Sequence, residues 1–170
     1  MLVIIPISTS PYPDRDGANS LIDRSIEGNL THTNWCSNGE ENSFFTIYFP
    51  LYGIRPSFYS FMTKSSDFNY PVSWIVEGSN NNVTYKKIGE ENDVEEMRGK
   101  LITKIFKFHS LESFKYIKFT QKKGYVDSSL SNLFCLRSVE IFGEIETSNE
   151  SNKNCRNDHH IILNLIFLVL

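Results

Sequence analysis

The sequence predicts an all-β fold, an antiparallel β-sandwich, and three observations carry that expectation. Short segments in which apolar and polar residues alternate recur along the chain, separated by clusters of Gly, Pro, Asn, Asp and Ser. Aromatic residues make up 14% of the 170 residues, with 13 Phe and 8 Tyr, and such side chains suit a pleated, half-buried surface. Alanine, the strongest helix former, occurs once, as Ala18.

The elements follow in order. The apolar run at residues 1–7 is shorter than the core of a signal peptide and lacks a basic start, so it reads as an edge strand before it reads as the remnant of a signal. Residues 8–43 are loops held by single apolar anchors, among them Leu21 and Trp35, with a short strand expected at 20–23. Strands are then expected at 43–49, 54–63, 72–77 and 83–88, the third ended by the turn signal that starts at Gly78. The acidic stretch 90–99 reads as an exposed loop or one helical turn. Further strands are expected at 100–108, 114–120 and 133–143, with 121–132 a polar loop around Gly124. Seven or eight short strands at roughly ten-residue spacing, with no helical period, make a sandwich or barrel. The expected core includes Trp35, Ile47, Trp74, Val76, Ile105, Ile117, Val139 and Ile141.

One domain spanning residues 10–144 is expected, preceded by a segment at 1–9 and followed by a polar linker and apolar tail at 145–170. The ten residues 161–170 are almost wholly apolar, but a spanning helix needs about 20. Small residues at 148–151, a polar spacer and that apolar end resemble a lipid-anchor attachment signal; a truncated carboxy terminus is the competing reading. Membrane association is therefore expected through this tail only.

Charge and motifs remove several function classes. With 17 basic and 20 acidic residues the net charge is −3, without the basic excess that nucleic acid demands. His32, His109, His159 and His160 stand in no metal-ligand spacing, and no nucleophile-elbow, phosphate-loop or dinucleotide-binding glycine pattern occurs, so no enzyme activity and no cofactor is expected. The run from Glu90 to Glu96 lacks the glycine and terminal glutamate of a calcium loop and reads as a solvated acidic loop. Cys36, Cys135 and Cys155 form no framework, and whether Cys36 and Cys135 are bridged depends on an oxidising compartment. Three glycosylation sequons begin at Asn29, Asn82 and Asn149, about the number that 16 Asn would give by chance.

The stretch Ser73-Trp-Ile-Val-Glu-Gly-Ser-Asn-Asn-Asn-Val-Thr-Tyr-Lys-Lys-Ile88 resembles the signature strand pair of discoidin (coagulation factor 5/8 type C) domains. Further similarities lie in order on both sides: Leu21-Ile-Asp23 with Asn34-Trp-Cys36, Phe114-Lys-Tyr-Ile-Lys-Phe119, and the closing Leu136-Arg-Ser-Val-Glu-Ile-Phe-Gly143. The resemblance covers about residues 10–144 and implies a galactose-binding-domain-like jelly-roll sandwich. Physically, Trp74 and Val76 alternate into the core while Gly78 is expected to permit a backbone turn.

The resemblance also implies a non-catalytic binding module whose ligand, a glycan or a protein, meets loops at one end of the sandwich. Carbohydrate is the favoured ligand, with a protein-interaction domain or membrane-surface lipid binding as alternatives. Phe68 beside Asp67 is the single apolar spike, a poor basis for lipid insertion. Loops 24–34, 63–70 and 121–132 are expected to share one end, opposite the turn at 78–82. Arg24, His32, Asp67, Tyr70 and Tyr125 are the expected ligand contacts: Arg24 gives paired donors, Asp67 the acceptor, and Tyr70 or Tyr125 a ring to stack on a pyranose. The compartment stays open, with the cell surface or exterior favoured.

Overall fold

The computed structural model describes residues 5–8, 21, 34–66, 69–125 and 133–146, the first group by backbone alone. Among the described residues ten strands form in chain order: β1 Ile5–Ser8, β2 Trp35–Cys36, β3 Phe44–Tyr48, β4 Gly53–Met62, β5 Pro71–Ser79, β6 Lys86–Glu91, β7 Thr103–Lys107, β8 Tyr116–Gly124, β9 Cys135–Leu136 and β10 Ser138–Glu146. Every pairing between these strands is antiparallel. A five-stranded sheet runs β1-β3-β8-β5-β6, a three-stranded sheet β10-β4-β7, and β2 with β9 makes a short ribbon. Among the described residues the helical content is 3-10, including one turn at Glu95–Met97.

Alternation decides what faces inward. From the large sheet Phe45, Ile47, Trp74, Val76, Ile117 and Phe119 are buried; from the small one Tyr59, Phe61, Val139 and Ile141 meet them. The two layers interlock through rings. Phe61 lies 5.2 Å from both Trp74 and Phe119, and Trp74 Nε1 donates to the Tyr59 hydroxyl at 2.9 Å. That bond satisfies a polar atom which burial would otherwise penalise by about 1–3 kcal/mol. Seven of the eight expected core residues are buried, Trp35 closing the end of the core against Phe45 and Phe134.

The eighth is a correction. Ile105 is 67% exposed, on the outer face of the edge strand β7 opposite Ser60. Its neighbour Phe106 takes the inward side, 5.3 Å from Tyr59. Apolar residues occupy both faces of this segment, so alternation alone does not say which face is buried.

Other elements shift for identifiable reasons. The strand expected at 83–88 begins at Lys86, because the Asn81 side-chain carbonyl accepts the N–H groups of Val83 and Thr84 at 2.9 Å and holds them in a turn. β8 runs through Gln121 to Gly124, into the expected loop, following β5 across two register shifts. The closing strand divides into β9 and β10 at Arg137, whose N–H donates to the Met62 carbonyl. Gly78 lies within β5 and makes no turn. A Cβ there would come within 2.6 Å of the Phe114 ring, so the residue is required for close approach. The strand expected at 20–23 lies outside the described residues except for Leu21, which is buried.

Register also sets the two ends of the sandwich. Met62 pairs with Ser138, Pro71 with Gly124, and Trp35 with Leu136, which brings the described parts of the 34–43, 63–70, 121–125 and 133–137 segments to one end. The tip of the β5–β6 hairpin lies at the other, where Ser79 pairs with Tyr116.

Candidate functional site

At the loop end, backbone ties come first. The Tyr125 N–H donates to the Tyr70 carbonyl at 3.0 Å, and the two rings stack with centroids 4.7 Å apart and planes 14° from parallel. Tyr70 is buried and Tyr125 partly so. Burial is the main reason the Tyr70 hydroxyl is pushed above its ordinary pKa, and the nearby Arg98 charge works against that rise.

Arg98 reaches this pair from the segment after β6. The Val94 N–H donates to the Val72 carbonyl, Met97 is fully buried, and the Arg98 N–H closes the 3-10 turn on the Glu95 carbonyl. Its exposed guanidinium stands 6.0 Å from the centre of the Tyr125 ring, within cation–π range. Sequence reasoning missed Arg98 because it sits in the stretch taken for a solvated acidic loop. A buried methionine one residue earlier is the signal that this loop is anchored. Two acidic residues of the stretch are held by lysines. Asp93 pairs with Lys123 at 2.5 Å and Glu90 with Lys87 at 2.7 Å, the latter holding the Glu90 carboxyl below its usual range.

The other loops are fastened to the same end. Asn34 Nδ2 donates to Ser65 Oγ at 3.4 Å, and the Leu101 N–H donates to the Lys64 carbonyl. Cys36 and Cys135, paired in register across the β2–β9 ribbon, form a disulfide with both residues buried. Four of the five described non-glycine residues with left-handed backbone, Asn42, Asn69, Asp93 and Leu101, lie at this end. Bulky Leu101 is the costliest of them, and such strain concentrates where a surface is shaped for use.

Of the five expected contacts, Tyr70 and Tyr125 are brought together; Arg24, His32 and Asp67 lie outside the described residues. No three His, Cys, Asp or Glu side chains converge as a metal site among the described residues.

No family model and no curated protein matches the chain. Solved structures do. A CBM32 module, CBM32-3, of a family 31 glycoside hydrolase from Clostridium perfringens aligns with TM-score 0.64 at 17% identity, over 83% of this chain and 91% of that one. The C. perfringens module CpGH89CBM32-5, solved with GalNAc-β-1,3-galactose, aligns with TM-score 0.61 at 16% identity, over 81% and 94%. The family 32 module of C. perfringens NanJ, solved with galactose, aligns with TM-score 0.59 at 19% identity, over 84% and 93%. Identities of this size speak to architecture: the chain has the galactose-binding-like β-sandwich fold that CBM32 carbohydrate-binding modules share with discoidin domains.

Proposed function

We propose that this chain is a non-catalytic carbohydrate-binding module that receives a pyranose-containing glycan at the loop end of the sandwich. The observation that carries this reading is the Tyr70–Tyr125–Arg98 cluster. An aromatic ring packs against the apolar face of a pyranose, and a guanidinium supplies paired donors to its hydroxyls. Tyr70, buried beneath its partner, backs Tyr125 and holds its ring in place. Arg98 takes the donor role, and Arg24, His32 and Asp67 are proposed as further contacts from the sequence. The neighbouring solved modules were captured with galactose, with GalNAc-β-1,3-galactose and, in the CBM32 of AlyQ, with 4,5-unsaturated mannuronic acid, which supports a sugar as the ligand class.

A glycan array probed with the folded chain tests the proposal. Retention of a defined glycan set, lost on Tyr125→Ala and on Arg98→Ala with unchanged circular dichroism, is the expected result. An array on which nothing binds above background, with a protein captured instead, would turn the assignment towards a protein-interaction domain.

A further inference from the structure

We propose that Asn82 is the acceptor of an N-linked oligosaccharide, carried at the end of the sandwich opposite the Tyr70–Tyr125 pair. The motif Asn82-Val83-Thr84 is one of three in the chain, and by number alone it means nothing. Its placement is what distinguishes it. The motif occupies the tip of the β5–β6 hairpin, where Asn82 is exposed and Val83 is 80% exposed. Its attachment point is well separated from the loops that the functional reading uses, and the inference does not depend on that reading.

The three consecutive asparagines at the tip differ in what their amides do. Asn80 Nδ2 donates to the Ser113 carbonyl at 3.0 Å, and Asn81 Nδ2 donates to Thr84 Oγ1 at 3.0 Å. Asn82 is fixed by other atoms. Its backbone N–H donates to Ser79 Oγ at 3.0 Å, its φ is 59°, and its Oδ1 accepts from the Tyr85 hydroxyl at 2.5 Å. Among the described residues nothing engages Asn82 Nδ2. Glycosylation consumes one N–H of that nitrogen and leaves the carbonyl intact, so the bond from Tyr85 survives the modification.

The disulfide is the second, independent observation. Cys36 and Cys135 are bridged and buried, as in chains that fold in an oxidising compartment, which in eukaryotic cells is where such transfer occurs. In the transfer, Asn82 Nδ2 forms a C–N bond to the anomeric carbon of a lipid-diphosphate-linked oligosaccharide. The anomeric C–O bond breaks, the lipid diphosphate leaves with the bonding pair, and Nδ2 releases one proton.

The test directs the full chain through the secretory pathway of a cultured eukaryotic cell. The recovered protein is treated with a peptide N-glycosidase in heavy-oxygen water and its peptides are read by mass spectrometry. The expected result is residue 82 read as aspartate carrying the heavy oxygen, and a mobility shift that Asn82→Gln and Thr84→Ala each reduce by one oligosaccharide. Peptides that retain an unlabelled asparagine at residue 82 throughout would overturn the proposal, whatever is found at Asn29 and Asn149.

Discussion

Tyr125 lies almost flat on Tyr70, 4.7 Å away and 14° from parallel, with the backbone N–H of one bonded to the carbonyl of the other. The contact joins the start of β5 to the end of β8, so ring position is set by the register of the large sheet. On the proposed function, Tyr125→Ala and Arg98→Ala are each expected to weaken glycan binding by about 1–2 kcal/mol, roughly 5- to 30-fold in Kd. Isothermal titration beside an unchanged thermal melt checks this. Equal loss of affinity and of stability would instead make the pair structural.

The inward and outward sides of the sandwich give a paired prediction. Val76→Asp places an unpaired carboxylate among Trp74, Phe119 and their neighbours, at a cost of several kcal/mol, and is expected to prevent folding. Ile105→Asp, on the outer face of β7, is expected to stay within about 0.5 kcal/mol of the parent in urea unfolding. Dispersed amide spectra for the first variant, or collapse of the second, would contradict the inward and outward assignment.

The Cys36–Cys135 bridge closes a long loop, with a sequence separation of 99. Cys36→Ser with Cys135→Ser is expected to lower stability by about 2–5 kcal/mol, mainly by freeing the unfolded chain. Thermal melts with and without reductant measure it. Alkylation of the untreated folded protein should leave both residues unlabelled.

Two buried phenols predict an alkaline limit. Burial raises the pKa of Tyr59 and of Tyr70 above the ordinary value. In the folded state the neutral form is therefore favoured beyond the point at which the unfolded chain ionises. Their contribution is complete below about pH 10 and is lost as pH rises through the folded values. Urea midpoints should be level from neutrality to about pH 9 and fall steeply above it. A midpoint that rises across that range would contradict the sign.

Much of the fold was legible because alternation and turn chemistry are local. Residues 43–49, 54–63 and 72–77 announce β3, β4 and β5 through short alternating runs rich in aromatic and β-branched residues. Segments with apolar residues on both faces were ambiguous, and Ile105 fell on the wrong side. Gly78 looked like a turn residue because sequence shows a missing side chain and not the Phe114 ring that fills its place. At the candidate site Tyr70 and Tyr125 came from the alternation of loops between ends together with the loop layout that the discoidin resemblance implies. Arg98 did not, because its position depends on Met97 anchoring a turn whose burial is a tertiary fact.

The covalent bridge also governs how the molecule answers to pulling. Tension entering before Cys36 and leaving after Cys135 crosses the sulfur–sulfur bond and bypasses everything between them, including β3 to β8. β1 and β10 lie outside that ring and would peel away first. The enclosed chain, about 330 Å if fully drawn out, stays withheld from extension. A module tethered at one side and gripped at the other would therefore lengthen by its outer strands alone, keeping most of its core folded under load until the bridge is reduced.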